Sequence, residues 1–414
     1  MRDLSFLTGE DRQFIEEKTE EFRLSHQDRR QLGIIAADLR RWDEGGISQH
    51  WREPENPALK GKDRRKAVMN AIKAVWNDLK NRPKSYDGFD PCYRTEGRSV
   101  NFSDKPVESP ILGRCPVASE KTRCCNLQTL DAVMGCGFDC SYCSIRTFYH
   151  TDDILFHKDL EKKLDIISKS LDPEKKYHIG TGQSSDSLMW GNRDGMLDRL
   201  FDFAENNPNV ILELKSKSAN IGGLINRRIP ANVLTSCSLN TDVIIENEEH
   251  LTANLEQRLE AAEKIAGKGA LIGFHFHPMV VYDGWREDYG DVFEKLKKRF
   301  SSDIISHISF GTLTFIKPVI KELQKKEFKS KILQMPMEEI AGKLSYPVET
   351  KLELFKFAYD SLSSWHGELY FYLCMEDIRL WKPVFGYEYA SNEEFEKAMI
   401  NSYFKKVEAI WNRQ

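Results

Sequence analysis

The 414-residue chain lacks any uninterrupted apolar run close to the ~20 residues that a membrane-spanning helix needs. Its first residues, MRDLSFLTGEDRQF, carry charges where a secretory signal would need an apolar core, so a soluble, cytoplasmic protein is expected. No sign of charge dominates. Sixty Lys and Arg stand against 64 Asp and Glu, a formal charge of −4, so any polyanion site must be a local patch. Internal repeats and low-complexity segments are also missing. Nine cysteines without a secretion signal read as thiols or ligands in a reducing compartment, which leaves disulfides without support. The length suits one large domain with an appendage, or two domains.

What is present centres on Asn126–Tyr149, NLQTLDAVMGCGFDCSYCSIRTFY, which holds Cys136, Cys140 and Cys143 as C-x3-C-x2-C. Three thiolates cannot complete a four-iron cube, but they can hold three irons and leave the fourth open to a second molecule. Structural zinc more often uses C-x2-C pairs with a second pair or histidines downstream, and Cys124, Cys125 or His150 lie near enough to be considered as a fourth ligand. Spacing favours an iron–sulfur cluster and leaves zinc open.

Upstream, residues 1–84 read as a charged helical extension, with Val68, Ile72, Val75 and Leu79 on one helical face. Residues 60–84 hold nine Lys or Arg against Asp63 and Asp78, a local +7. That is either a phosphate-facing surface or an ordinary solvated helix face. Residues 85–125, rich in Pro and Gly, read as an irregular connector.

From 126 to about 330, strand-like and helix-like segments alternate. Strands are expected at Leu127–Met134, Tyr177–Gly182, Val210–Lys217, Val233–Asn240, Ala270–Val280 and His307–Phe315. Helical patterns lie between them at about 157–171, 192–207, 219–227, 254–268 and 289–302. Six β-then-α units imply an α/β fold with a parallel sheet, curled as a partial (β/α)6 TIM-like barrel with its chemistry at the strands' C-terminal ends. A further strand at Glu368–Cys374 and closing helices at 348–365 and 392–412 are expected in the remaining segment, 331–414.

Strand positions two apart share a face. Glu213, Lys215 and Lys217 therefore lie together, and so do Ser236, Ser238 and Asn240. A lysine beside hydroxyls suits the carboxylate and ammonium of a bound amino acid, while the plainer reading pairs Glu213 with the lysines. The loop Gly180–Asp186, GTGQSSD, lets backbone approach a ligand closely but is a weak pattern alone. His275 and His277 share a face, where lone satisfied histidines are commoner than a metal site.

The C-x3-C-x2-C run after a strand, with Tyr142 before the third Cys, resembles the signature of radical S-adenosylmethionine (SAM) enzymes. Over roughly residues 115–315 the chain resembles the spore photoproduct lyase family within them. The likeness rests on Cys115-Pro116, the three cysteines, GTGQSSDS, ELKSKS, SCSLN, EQRLEAAEKIAGKG, GFHFHPMVVYDGWREDY and ISFGTLTF in that order. The resemblance implies a [4Fe–4S] cluster on Cys136, Cys140 and Cys143. It also implies SAM held at Ser185, Lys217 and Ser238, with Tyr142 and the backbone of His277 beside it. An electron donor such as flavodoxin or ferredoxin is implied, and a DNA or nucleotide substrate.

Two positions depart from the family. The lyases return hydrogen from a Cys after the second strand, aided by a Tyr after the third cluster Cys; here Gln183 and Ser144 stand there. Neither side chain gives up hydrogen easily. Cys374, in YFYLCMED, is the substitute donor by placement at an expected strand end, with an ordinary buried Cys as the alternative. Cys237 should face away. Cys124 and Cys125 precede the first strand, at the wrong end of the barrel unless the connector folds back, and offer a thin basis for a second cluster. The functional expectation is radical SAM chemistry on a nucleic-acid base. The alternatives are the same chemistry on a small molecule, or a zinc-stabilised nucleic-acid-binding protein.

Overall fold

In the computed structural model, residues 6–54, 56, 58–95, 101–103 (backbone), 110–115, 121–144, 153–340 and 342–412 are described. His150 and Pro116 lie outside these residues. No helix among them is long and apolar enough to cross a membrane. The chain divides into two compact units, one of Met1–Gly97, Val281–Asp283 and Phe315–Tyr346, the other of Arg98–Val280, Gly284–Thr314 and Pro347–Gln414.

The first unit is built on helices Gly9–Phe22, His26–Arg41 and Gly61–Asn81. Thr8 caps the first, and Ser25 with Asp28 forms a reciprocal capping box on the second, which supplies acceptors to otherwise unbonded first-turn N–H groups. Val68, Ile72 and Leu79 are buried in one cluster with Leu32, Ile35 and Leu39, and Val75 packs at its margin. The segment Phe315–Tyr346, assigned from sequence partly to the barrel, groups with these helices. Arg41 donates to the carbonyls of Leu323 and Gln324 at 3.2 and 2.5 Å, and Lys331 Nζ donates to Trp42 O at 2.8 Å. The basic run is smaller in space than in sequence. Arg64 faces Glu21 and Glu53 at 3.6 and 3.7 Å, Arg65 faces Asp28 at 3.8 Å, and Lys84 is buried.

The second unit carries an eight-stranded sheet. Its strands are β1 Leu112–Arg114, β2 Gln128–Leu130, β3 Tyr177–Thr181, β4 Val210–Ser216, β5 Val233–Ser238, β6 Leu271–Met279, β7 Ile305–Thr312 and β8 Tyr370–Leu373. They lie side by side in chain order. β2 through β8 run parallel, and β1 is antiparallel on the β2 edge. The sheet is the curled half-barrel expected, with β8 as the seventh parallel strand. β1 comes from the connector and was not anticipated. The expected first strand is broken at Asp131–Ala132, so that Val133–Met134 pairs instead with Asp153–Phe156.

The register sorts side chains onto two faces. Leu212, Leu214, Phe274, Phe276, Ile308 and Phe310 share the apolar face, where Phe276 packs on Phe293 of helix Trp285–Arg299 at 5.0 Å between ring centroids. His178, Glu213, Lys215, Ser236, Ser238, His275, His277, Ser309 and Tyr372 share the other parity. Nearly all of these strand residues are buried, as expected where a parallel sheet is covered on both faces. The polar interior therefore has to satisfy itself or a ligand.

Candidate active site

The cysteine loop follows β2 and the short strand Val133–Met134, at the C-terminal edge of the sheet. Gly135 turns it with φ +87°, and a Cβ there would sit 2.7 Å from Asp153 O. Gly135 N donates to Ser184 O at 2.9 Å and Ser184 Oγ to Val133 O at 2.8 Å, so the loop after β3 braces it. On its other side, Asp139–Cys140 pairs antiparallel with Glu249–His250, placing Cys140 opposite Glu249. A tight turn, Cys143 N to Cys140 O at 3.2 Å, brings the last two cysteines together, and Cys136 Sγ lies 3.9 Å from Met189 Sδ. Burial pushes the Cys136 thiol up to about 12, with Cys143 and Asp186 adding to it, and burial and Glu249 push Cys140 up as well. Thiols at such a site become thiolates when a cation binds. Three soft donors on one short loop fit three irons of a cluster.

Glu249 joins the cysteine loop to the strand ends. Its carboxylate accepts from Tyr142 Oη, from Lys217 Nζ at 2.9 Å, from Arg258 at 2.6 Å and from Asn240 Nδ2 at 3.3 Å. Burial alone would raise its pKa, but Lys217 and Arg258 outweigh burial and bring it down to about 2. Lys217 thus pairs with Glu249 rather than with Glu213. Arg258 also donates to Ser238 O at 2.9 Å, fixing the end of β5. Beside this, Asp186 accepts from the backbone N–H of Leu188, Met189 and Lys217 at 3.0, 2.9 and 2.6 Å, and from Ser216 Oγ at 2.7 Å. Ser185 Oγ accepts from Trp190 Nε1 at 3.1 Å. Gly182 has φ +94°, and a Cβ there would meet Lys215 O at 2.8 Å, so only glycine lets the β3 loop approach β4 this closely. A paired ammonium and carboxylate at Lys217–Glu249, with a glycine-lined loop beside them, match the charges of an amino-acid moiety.

Deeper in the sheet, Glu213 accepts from His178 at 2.9 Å and His275 at 2.7 Å, and His275 Nδ1 reaches Ser309 Oγ at 2.5 Å. Ser309 Oγ in turn meets His277 Nε2 at 3.0 Å. His275 and His277 are thus linked through a hydroxyl, and His275 shares Glu213 instead with His307, their ligand atoms lying within 4.8 Å. Burial, then Lys215, drops His275 to about 4, so it is neutral near pH 7.

Tyr142, Lys217 and Cys140 converge on Glu249, Ser238 is tied to the same group through Arg258, and Ser185 is held by the neighbouring loop. Cys374 lies elsewhere, in a cavity with Gln183, Lys215, Cys125 and Tyr372. The sequence reading missed Glu249 and Arg258. Glu249 sits in the acidic run ENEEH, which looks like solvent-facing helix. Arg258 was readable, since Leu255, Arg258, Leu259, Ala262 and Ile265 follow the spacing of a buried face, and all are buried.

A parallel half-barrel with three thiols on the loop after its first parallel strand defines the radical SAM class of fold. A family profile described as spore photoproduct lyase matches residues 118–359, and the chain belongs to that family. The spore photoproduct lyase of Bacillus subtilis (strain 168) is 36% identical over 97 residues, 23% of this chain and 28% of that protein. That of Clostridium acetobutylicum is 28% identical over 188 residues, 43% and 55% of the two chains. The chain thus spans about half the length, or less, of these curated relatives. A solved spore photoproduct lyase complexed with dinucleoside spore photoproduct superposes with a TM-score of 0.55 at 18% identity, covering 66% of this chain and 82% of that one. A variant with bound AdoMet and the same dinucleoside gives 0.53 at 18% identity, covering 66% and 80%. At these identities the likeness is one of fold.

Proposed function

We propose that this chain is a radical SAM enzyme of spore photoproduct lyase type that acts on a nucleic-acid base. The observation that carries the reading is the Tyr142–Glu249–Lys217 link, which ties the cysteine loop to the strand end where an amino-acid cosubstrate would sit. Cys136, Cys140 and Cys143 would hold a [4Fe–4S] cluster, which with SAM supplies a 5′-deoxyadenosyl radical when both are bound.

The chain's own residues then have defined tasks. Lys217 and Ser238 would bind the methionine moiety, and Ser185 would orient it from the β3 loop. Tyr142 and the backbone at His277 would flank the cosubstrate. Glu249 would hold the Lys217 ammonium in place, and the buried strand ends would exclude water from a reactive radical. The solved relatives are named for a bound dinucleoside spore photoproduct, which supports a nucleic-acid lesion as the substrate class.

One observation favours a second reading, a small-molecule substrate. In its flipped orientation the Gln183 amide donates to Thr181 O at 3.1 Å and accepts from Lys215 Nζ at 3.2 Å. The residue in the donor-Cys position thus serves to hold a lysine. If a thiol of this chain returns hydrogen to product, Cys374, at the end of β8, is the candidate, and it shares Gln183's cavity with Cys115, Cys124 and Cys125. The test is anaerobic turnover of the reconstituted, reduced protein with SAM and UV-irradiated oligonucleotide, with thymine lesions followed by mass spectrometry. Lesion loss supports the first reading. SAM cleavage without lesion loss, across dipyrimidine sequences, supports the second.

A further inference from the structure

The nine cysteines sort into groups. Three lie on the cluster loop, Cys237 is on the apolar-face parity of β5, and Cys92 belongs to the other unit. The remaining four, Cys115, Cys124, Cys125 and Cys374, come from three separate segments and line one cavity with Lys215 and Gln183. None of the nine is in a disulfide.

The fold brings these four together by turning the connector back. Cys115 follows β1, and its N–H donates to Leu127 O at 3.2 Å. Thr122 bridges Asp377, and Arg123 N donates to Glu376 O at 3.3 Å. The Arg123 guanidinium donates to the carbonyls of Tyr389 and Ala390 at 2.8 and 2.7 Å, and Cys124 N donates to Asn392 Oδ1 at 3.0 Å. The segment before β2 is therefore laced to the segment after β8, at the two edges of the open sheet. Cys124 and Cys125, at the wrong end by chain order, meet Cys374 for this reason.

We propose that Cys115, Cys124, Cys125 and Cys374 form a second thiolate-ligated centre, an iron–sulfur cluster separate from that of Cys136, Cys140 and Cys143. Four thiols select soft metals, either zinc or iron–sulfur clusters. A single tetrahedral zinc with Zn–S near 2.3 Å holds its sulfurs about 3.8 Å apart. Among the described residues no three of these four have sulfurs all within 4.8 Å, and the same is true of Cys136, Cys140 and Cys143. The four sulfurs are thus not gathered as one tetrahedral ion would hold them, which leaves the iron–sulfur cluster as the soft centre proposed. A buried anionic cluster also needs a cation, and Lys215 provides one. Its side chain lines the same cavity as the four thiols. The Gln183 amide oxygen accepts from Lys215 Nζ at 3.2 Å, which gives the departure at that position a structural purpose. A sulfur bound to iron has no hydrogen to give, so an occupied centre withdraws Cys374 from hydrogen return.

The test compares three anaerobically reconstituted full-length proteins for iron, acid-labile sulfide and zinc, with Mössbauer and reduced-state EPR spectra. They are wild type, the Cys136→Ala/Cys140→Ala/Cys143→Ala variant and the Cys125→Ala/Cys374→Ala variant. Wild type should hold twice the iron of either variant. The triple variant should keep half, with matching sulfide and an EPR signal that SAM does not alter. The double variant should keep the half whose signal SAM does alter. If the double variant binds no iron while the triple variant does, the SAM-cluster assignment fails and the second centre stands. A folded triple variant that holds no iron, or holds zinc without sulfide, overturns the second centre. Should that variant not fold, wild type whose iron and Mössbauer spectrum account for a single cluster overturns it equally.

Discussion

Glu249→Gln removes one charge from a carboxylate that two cations share, and its cost can be worked in two ways. The folded-state pKa of about 2 against the usual 4.5 corresponds to about 3 kcal/mol of stability near neutral pH. Independently, removing one partner of a buried ion pair costs about 3–5 kcal/mol, because Arg258, only 1% exposed, is left facing a neutral amide. The two agree on roughly 3 kcal/mol.

The sign also sets the pH dependence. Because the folded pKa is depressed, the contribution is complete above about pH 4.5 and is lost as pH falls toward 2, with about 2 kcal/mol gone by pH 3. Urea denaturation of the cluster-free wild type and variant from pH 7 to 3 reads this directly. The midpoint gap should be largest at pH 7 and close in acid, with m unchanged. A gap below about 1 kcal/mol at pH 7, or one that stays constant down to pH 3, would refute the account of Glu249 as an ionised hub.

Further outcomes follow from the same geometry. Lys217→Ala should weaken SAM binding by about tenfold or more, given roughly 1.5–3 kcal/mol for a charged hydrogen bond, and isothermal titration would expose unaltered affinity as a failure. Gly182→Ala should cost about 1–3 kcal/mol, since φ is +94° and the added Cβ meets Lys215 O at 2.8 Å, and a thermal midpoint equal to wild type would contradict that. Neutralising Arg64, Arg65 and Lys66 should leave the salt slope of oligonucleotide binding nearly unchanged, because Arg64 and Arg65 already face carboxylates. A drop of about two or three in that slope would return the basic run to the nucleic-acid surface.

The long β/α alternation was legible because strands such as Leu271–Met279 alternate residues with period two, and helices such as Leu255–Ala266 carry a capping box and one apolar face. The cluster cysteines were legible because their ligands are local in sequence. Long-range placement was not. Phe315–Tyr346 has no feature that announces its packing on Arg41, and Asp131–Ala132 gives no sign that the first strand breaks there. Glu249 becomes a site residue only when Glu249–His250 pairs with Asp139–Cys140, a pairing across about a hundred residues that no local pattern encodes. Cys124 and Cys125 reach Cys374 through backbone bonds between two chain segments some 250 residues apart.

The central claim is that Cys136, Cys140 and Cys143 support SAM cleavage in this chain. Its most direct test is 5′-deoxyadenosine formation by the reduced, reconstituted protein, measured by mass spectrometry beside the Cys140→Ala variant. The account predicts 5′-deoxyadenosine from wild type and background levels from Cys140→Ala. Equal amounts from both, or none from wild type whose cluster is spectroscopically intact, would contradict it.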